Sequence, residues 1–253
     1  MRFCPLASGS KGNVLFLETK QKRLLIDVGL SAKQVEERLK KINVDPKTID
    51  AVMITHEHAD HVRGLEVFAS KFDLPVFANI DTAKALHEMG ARQLAYTIFT
   101  TGESFHFGGC DITPFSIQHD TMDPVAFTIE EDATKLGVCA DLGFVTSLVR
   151  VHLQNCNGLY LESNHEPNMV HASSRPQVYK TRVLGRQGHL SNDACCTLLS
   201  EIATPELKHV FLAHLSEECN SDELAFKKAR EVLSDSISLE IAHQHHVSYD
   251  LTL

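Results

Sequence analysis

Apolar residues in this chain fall into short runs separated by polar, glycine-containing stretches. Val14-Leu15-Phe16-Leu17, Leu24-Leu25-Ile26, Ala51-Val52-Met53-Ile54, Pro75-Val76-Phe77-Ala78 and Leu159-Tyr160-Leu161 are too short for helices. They read as strands, and their unbroken apolar character predicts burial on both faces. The turn-rich stretch Leu6-Ala7-Ser8-Gly9-Ser10-Lys11-Gly12-Asn13 lies between two strand-like runs, and the second turns through residues 20–23 into a further strand, so the chain opens on a hairpin. Gly9 and Gly12 suit a tight turn near a ligand. Residues 31–42 have helical spacing, with Val35, Leu39 and Ile42 on one face and Ser31 as N-cap. Residues 62–72 repeat it, with Leu65, Phe68, Ala69 and Phe72 inward. Further helices are predicted over 81–89, 193–202 and 221–233, and strands near 96–99, 104–107, 111–117, 209–214 and 237–241. Residues 125–130 and 135–140 form a hairpin across Glu131-Asp132. Strands alternating with helices indicate an α/β architecture, read as one domain over residues 1–253. Residues 163–205 are helix-rich and read as an elaboration on that domain.

Composition sharpens this picture in two respects. Apolar content of 43% and charged content of 23% are ordinary for a globular protein, and no apolar run approaches the roughly 20 residues of a membrane helix. The apolar part of the N-terminus is too short for a signal peptide. The seven cysteines are odd in number and scattered without a Cys-x-x-Cys pair. A reducing, cytoplasmic protein is expected, with Cys195 and Cys196 packed in a helix. The net charge of −9 counts against nucleic-acid binding over the whole surface, though not at a local basic patch.

The chemistry gathers after the apolar run Ala51-Val52-Met53-Ile54, in Thr55-His56-Glu57-His58-Ala59-Asp60-His61. Residues two apart in extended chain point the same way, so His56 and His58 reach one ion while Asp60 and His61, beyond a bend, reach a second. This is not the helical His-Glu-x-x-His motif, because Asp60 stands where the second His would be. His-x-His-x-Asp-His after an apolar strand resembles the metallo-β-lactamase fold superfamily. The resemblance implies an αβ/βα sandwich: two mixed β-sheets flanked by helices. It implies a first ion on His56, His58 and His119, a second on Asp60, His61 and His214, and Asp141 between them. Asp27 would orient the metal loop from behind the ligands. Two ions roughly 3.5–4 Å apart can share a water whose pKa falls toward about 7, giving a metal-bound hydroxide as nucleophile. The mixed nitrogen and oxygen donors suit Zn²⁺ or Mn²⁺. The pair His119-Asp120 also invites comparison with helical HD-type phosphohydrolases, but it ends a predicted strand. An acidic residue rather than a thiolate at the bridging position favours esters and phosphodiesters over lactams.

Further motifs carry a closer resemblance. Residues 6–13, Ala140-Asp141-Leu142-Gly143, Leu161-Glu162-Ser163-Asn164-His165, Gly188-His189-Leu190-Ser191-Asn192 and Leu212-Ala213-His214-Leu215-Ser216 together resemble the YycJ/WalJ (VicX) branch over nearly the whole chain. That branch implies a dinuclear metal-dependent phosphodiesterase acting as a 5′-to-3′ DNA exonuclease. Glu166 departs from the Asp expected there. Asp60 and Asp141 would be catalytic as well as ligating, with His165 or His189 as phosphate ligand or proton donor. Independently, residues 167–192 contain no Asp or Glu but carry Arg175, Lys180, Arg182 and Arg186. These four, with Ser191 and Asn192 at a helix start, are expected to contact the phosphates of DNA. His243, His245 and His246 read as solvated. The alternatives are a small-molecule hydrolase for a thioester, lactone or cyclic phosphodiester, and a non-catalytic binding domain. The sequence assigns no membrane contact and no oligomeric state.

Overall fold

The computed structural model describes residues 1–253, and the chain folds into two seven-stranded sheets packed face to face. In the first, β1 (Arg2–Ala7), β2 (Val14–Glu18) and β3 (Arg23–Ile26) form an antiparallel meander. Strands β4 (Ala51–Met53), β5 (Val76–Asn79) and β6 (Tyr96–Phe99) extend it in parallel. The two-residue β14 (Leu251–Thr252) closes the other edge against β1, a pairing the apolar pattern did not predict. The second sheet repeats the plan. Strands β7 (Phe105–Phe107), β8 (Cys110–Ser116), β9 (Val125–Glu131) and β10 (Thr134–Cys139) are antiparallel. Strands β11 (Gly158–Glu162), β12 (His209–Ala213) and β13 (Ser238–Ile241) follow β10 in parallel.

The two-residue side-chain period sorts each strand between two cores. In β2, Leu15 and Leu17 point into the inter-sheet core with Phe3, Ile26, Phe127, Tyr160 and Phe211. Val14 and Phe16 point outward against α1 (Ala32–Lys41), α3 (Leu65–Phe72) and α4 (Ile80–Glu88), whose Val35, Leu39, Phe68 and Leu86 complete a second core. A third core lies outside the other sheet, beneath α5 (Ser147–Leu153), α8 (Asn192–Ile202) and α9 (Asp222–Val232). Four layers, helix–sheet–sheet–helix, result, as the resemblance implies. Burial on both sheet faces accounts for the unbroken apolar runs.

The Ser31 cap holds, in a capping box with Gln34, and α8 is capped in the same way, Ser191 Oγ accepting the Ala194 N–H. The helix expected over 62–72 is divided. A single turn, α2 (Ala59–Val62), belongs to the metal loop, and α3 starts at Leu65. Gly64 separates them, because a Cβ there would lie 2.0 Å from the Leu30 carbonyl oxygen. Gly29 is needed for the same reason: a Cβ would lie 1.7 Å from the Asp60 carbonyl oxygen. The helix-rich elaboration holds α6 (Pro167–Ala172) and α7 (Gln177–Val183), which pack together through Val170, Val183 and Cys219. Parallel strands β3, β4, β10, β11 and β12 all point their carboxyl ends to one edge, the usual place for a ligand crevice in such sheets.

Candidate metal centre

Each strand end at that edge delivers polar side chains. Asp27 follows β3, the loop from Thr55 to His61 follows β4, and His119 follows β8. Asp141 follows β10, Glu162 ends β11 and His214 follows β12. Asp27, Asp141 and His214 all adopt the left-handed conformation, with φ of 61°, 57° and 53°. That conformation costs a non-glycine residue roughly 1–2 kcal/mol, and Asp and His tolerate it better than most. Strain repeated at three strand ends marks a functional edge.

The structure brings the seven expected ligands together. Donor atoms of His56, His58 and His119 lie within 4.8 Å of one another, as do those of Asp60, His61 and His214. His56, His61 and Asp141 form a third such group, so Asp141 lies between the other two. Asp27 stands behind them. It accepts the Thr55 N–H at 2.9 Å and the Thr55 hydroxyl at 2.8 Å, and lies 2.7 Å from His61 Nδ1. With a carboxylate at Nδ1, His61 carries its proton there and presents Nε2 to the pocket.

Two observations test whether cations fit. His56 Nε2 and Asp141 Oδ2 are buried and have no hydrogen-bond partner, which is rare for interior polar atoms. His61 Nε2 approaches Asp141 Oδ2 to 2.8 Å, yet Asp141 Oδ2 has no hydrogen-bond partner. Converging lone pairs with no proton aligned between them suit divalent ions, and the nitrogen and oxygen donors are those that bind zinc or manganese.

The electrostatics divide the pocket. Burial lowers the pKa of His56 well below the ordinary value, assisted by the neighbouring His61. Burial also lowers His58 and His119, against the pull of Asp120 on the first and Asp141 on the second. Burial would lower His61 too, but Asp27 and Asp141 raise it well above the usual range. His214 is raised to about 10, where Asp141, Asp60 and Glu162 outweigh burial.

Glu162 is a residue that sequence reasoning left without a role. Fully buried, its Oε2 accepts the N–H of Leu142 at 2.9 Å and of Leu190 at 3.0 Å. Its Oε1 lies 2.8 Å from His189 Nδ1 and 3.2 Å from His214 Nδ1. Burial would raise its pKa, but His189 and His214 hold it down to about 2. Glu162, His189, His214 and Asp141 thus form a fourth donor group. The available signal was a carboxylate ending the otherwise apolar strand Gly158–Glu162.

The other expected residues are placed less uniformly. His189 enters the pocket, stacked on His214. His165 is buried, bridges to Ser191 and joins none of the donor groups; burial lowers its pKa to about 4. Arg182 is exposed at the mouth, paired with Asp120 through bonds of 2.5 and 3.0 Å. Arg175 pairs with Glu218, Lys180 Nζ donates to the His171 carbonyl, and Arg186 stacks on the Phe144 ring at 3.7 Å. The acid-free run is therefore partly neutralised by acids from elsewhere in the chain. Ser191 Oγ is occupied as a helix cap. Asn192 corrects the expectation of a phosphate contact: it has no exposed surface, accepting from the Ser163 hydroxyl and bonding Asn220. Glu166 holds Lys228 at 2.6 Å, away from the metal donors. His245 pairs with Glu217, and His243 lies 3.5 Å from Asp222. All seven cysteines are free. No helix is long and apolar enough to cross a membrane.

The chain is similar to known proteins in sequence and in fold. The beta-lactamase superfamily domain matches residues 22–214. The exodeoxyribonuclease YycJ of Bacillus anthracis is 35% identical over 237 residues, covering 93% of this chain and 90% of the relative. The exodeoxyribonuclease WalJ of Streptococcus pneumoniae serotype 2 is 34% identical over 230 residues, with coverage of 88% and 85%. Among solved structures, the metallo-beta-lactamase fold protein YhfI of Bacillus subtilis superposes with a TM-score of 0.75 at 17% identity, over 99% of this chain and 98% of the other.

Proposed function

The chain belongs to the YycJ/WalJ family of metallo-β-lactamase-fold proteins and is a metal-dependent hydrolase, and on that premise we propose that it is an exodeoxyribonuclease that shortens duplex DNA from its 5′ ends. One observation carries the reading: seven His and Asp donors converge on a buried pocket that contains unpartnered acceptor atoms. We assign one divalent ion, zinc or manganese, to His56, His58 and His119, and a second to Asp60, His61 and His214, with Asp141 shared. Ions bound there supply Lewis acidity and lower the pKa of a coordinated water toward about 7.

The protein's own groups set up the rest. Asp27 locks the His61 tautomer and the Thr55 main chain, so the metal loop is positioned before substrate arrives. Glu162 does the same for His189 and His214 and pins the loops that carry Asp141 and His189. Held in this way, His189 faces the pocket as the group best placed to contact a phosphoryl oxygen or the leaving oxygen. Arg175 and Arg182 line the cavity beside His189, and Arg186 lines an adjoining one with Arg182 and Asp120; we assign these three, with Lys180, to the phosphate backbone. A DNA phosphate must there replace Asp120 on Arg182 and Glu218 on Arg175, an exchange of one anion for another. Seven free cysteines, six of them buried, support a reducing cytoplasmic setting.

The test is digestion of a 3′-labelled, 5′-phosphorylated duplex by manganese-loaded protein, beside Asp141→Ala. Progressive 5′ shortening by wild type and background cleavage by the variant is the expected result. Turnover of small phosphodiesters with the duplex left intact would replace this reading with a small-molecule hydrolase. Equal digestion by both proteins would remove the chemistry from this pocket.

A further inference from the structure

The turn between β1 and β2 carries one more side chain into the pocket. Asn13 is 3% exposed. Its N–H donates to the Asp60 carbonyl at 2.7 Å, and its own carbonyl accepts the Gly29 N–H at 2.8 Å. Its side-chain oxygen accepts the Gly9 N–H at 2.7 Å. That last bond assigns the amide, because an oxygen engaged by a backbone N–H leaves the NH₂ on the opposite side. The NH₂ nitrogen lies 2.9 Å from His61 Nε2 and 3.4 Å from Asp60 Oδ2. Both are atoms that face the pocket and would ligate an ion.

An ion bound by His61 and Asp60 occupies the lone pairs of both atoms and leaves the amide neither as an acceptor. The Asp60 carbonyl, at 3.4 Å, is then its remaining nearby acceptor. A buried NH₂ group needs a partner, and its direction is fixed by three backbone bonds. The other amide at this end, Asn164, is already engaged: its Nδ2 donates to the His214 carbonyl at 2.6 Å. The same turn is anchored a second time, where Ser8 Oγ accepts the His214 N–H at 2.8 Å. It continues outward through Ser10 and Lys11, which line a cavity of about 250 Å³ with His189, Arg182 and Arg175 across from them. The loop thus runs from the pocket to its mouth.

We propose that Asn13 binds substrate: its Nδ2 donates a hydrogen bond to a non-bridging oxygen of the phosphoryl group held at the Asp60–His61–His214 cluster. This rests on the phosphodiesterase reading above. In a pocket crowded with the carboxylates of Asp60, Asp141 and Glu162, a fixed neutral donor stabilises a phosphoryl anion without reorganisation. Asn13→Asp keeps an oxygen for the Gly9 N–H and removes the donor. Asn13→Ala removes both.

The experiment measures three quantities for wild type and both variants: metal ions per chain, the dissociation constant of the metal-loaded protein for inorganic phosphate, and kcat and KM on a 5′-phosphorylated duplex. Metal content should be unchanged in Asn13→Asp, while phosphate binding weakens by about tenfold or more and kcat falls by about 10²–10³. Phosphate affinity and kcat within about twofold of wild type in Asn13→Asp would overturn the assignment. So would loss of metal from both variants, which would make Asn13 a loop anchor, or a wild-type protein that binds no phosphate. If Asn13→Ala proves unstable, Asn13→Asp decides alone. Phosphate binding that depends on Asn13 in a protein that degrades no DNA would sink the exonuclease reading and leave this assignment standing.

Discussion

The two ends of the pocket are built from the same side chain in opposite surroundings. At one end His56, His58 and His119 have each other as close neighbours, with His119 Nε2 3.2 Å from His58 Nδ1, and burial keeps all three neutral. At the other end His61 lies between Asp27 and Asp141, and His214 among Asp141, Asp60 and Glu162, so both hold a proton when no ion is bound. The imidazole end is ready for an ion at neutral pH. The carboxylate end must give up protons to receive one. A buried carboxylate behind a histidine orients the ring, and it also makes the proton a competitor of the metal.

Removing supports at the carboxylate end should therefore cost more than chemistry alone. The largest effect is expected for Glu162→Ala. It leaves the N–H groups of Leu142 and Leu190 unpaired and two rings unsupported, a loss of about 3–5 kcal/mol by analogy with broken buried ion pairs. Chemical denaturation of the metal-free protein checks it, and an unchanged midpoint would show that the carboxylate end is not held together by this group. Asp27→Asn comes next. It keeps the shape behind His61 but weakens the grip on its tautomer, and a loss of about 10–100-fold in metal affinity is expected. That loss should fall on one ion only; equal weakening of both would erase the distinction between the ends. Arg182→Ala should act least. It lies at the mouth, and its removal should lower the slope of log affinity for DNA against log salt by about 1. A slope unchanged from wild type would remove Arg182 from the phosphate path.

How much of this was legible depended on how contiguous each feature is. His56, His58, Asp60 and His61 fall within six positions, so the metal loop reads directly from the chain. Asp141 and His214 are single residues at strand ends, and only resemblance picks them out. Glu162 also ends a strand and was passed over, because its partners, the N–H groups of Leu142 and Leu190 and the rings of His189 and His214, all lie on distant loops. The left-handed backbone at Asp27, Asp141 and His214 leaves no trace in residue type beyond the tolerance of Asp and His for it. The basic run between residues 167 and 192 was visible, but the acids that neutralise it were not: Asp120 and Glu218 stand 62 and 43 positions from Arg182 and Arg175. Most strands and long helices were legible from apolar period, since burial on one or two faces writes itself into the chain. The helix Ser147–Leu153 was missed because a seven-residue helix buries only Val149 and Leu153. The break at Gly64 comes from a close approach of Leu30, a tertiary contact that helical period does not record.

The measurement that tests the account most directly is calorimetric titration of metal-free protein with Zn²⁺ at pH 7 in two buffers of different ionisation enthalpy. Two binding events are expected. The first should release almost no protons, because the imidazole end is already neutral. The second should release protons and strengthen as the pH rises toward about 10, where His214 gives up its proton unaided. A single binding event, or two events with the same proton release, would contradict the two unlike ion sites on which the account rests.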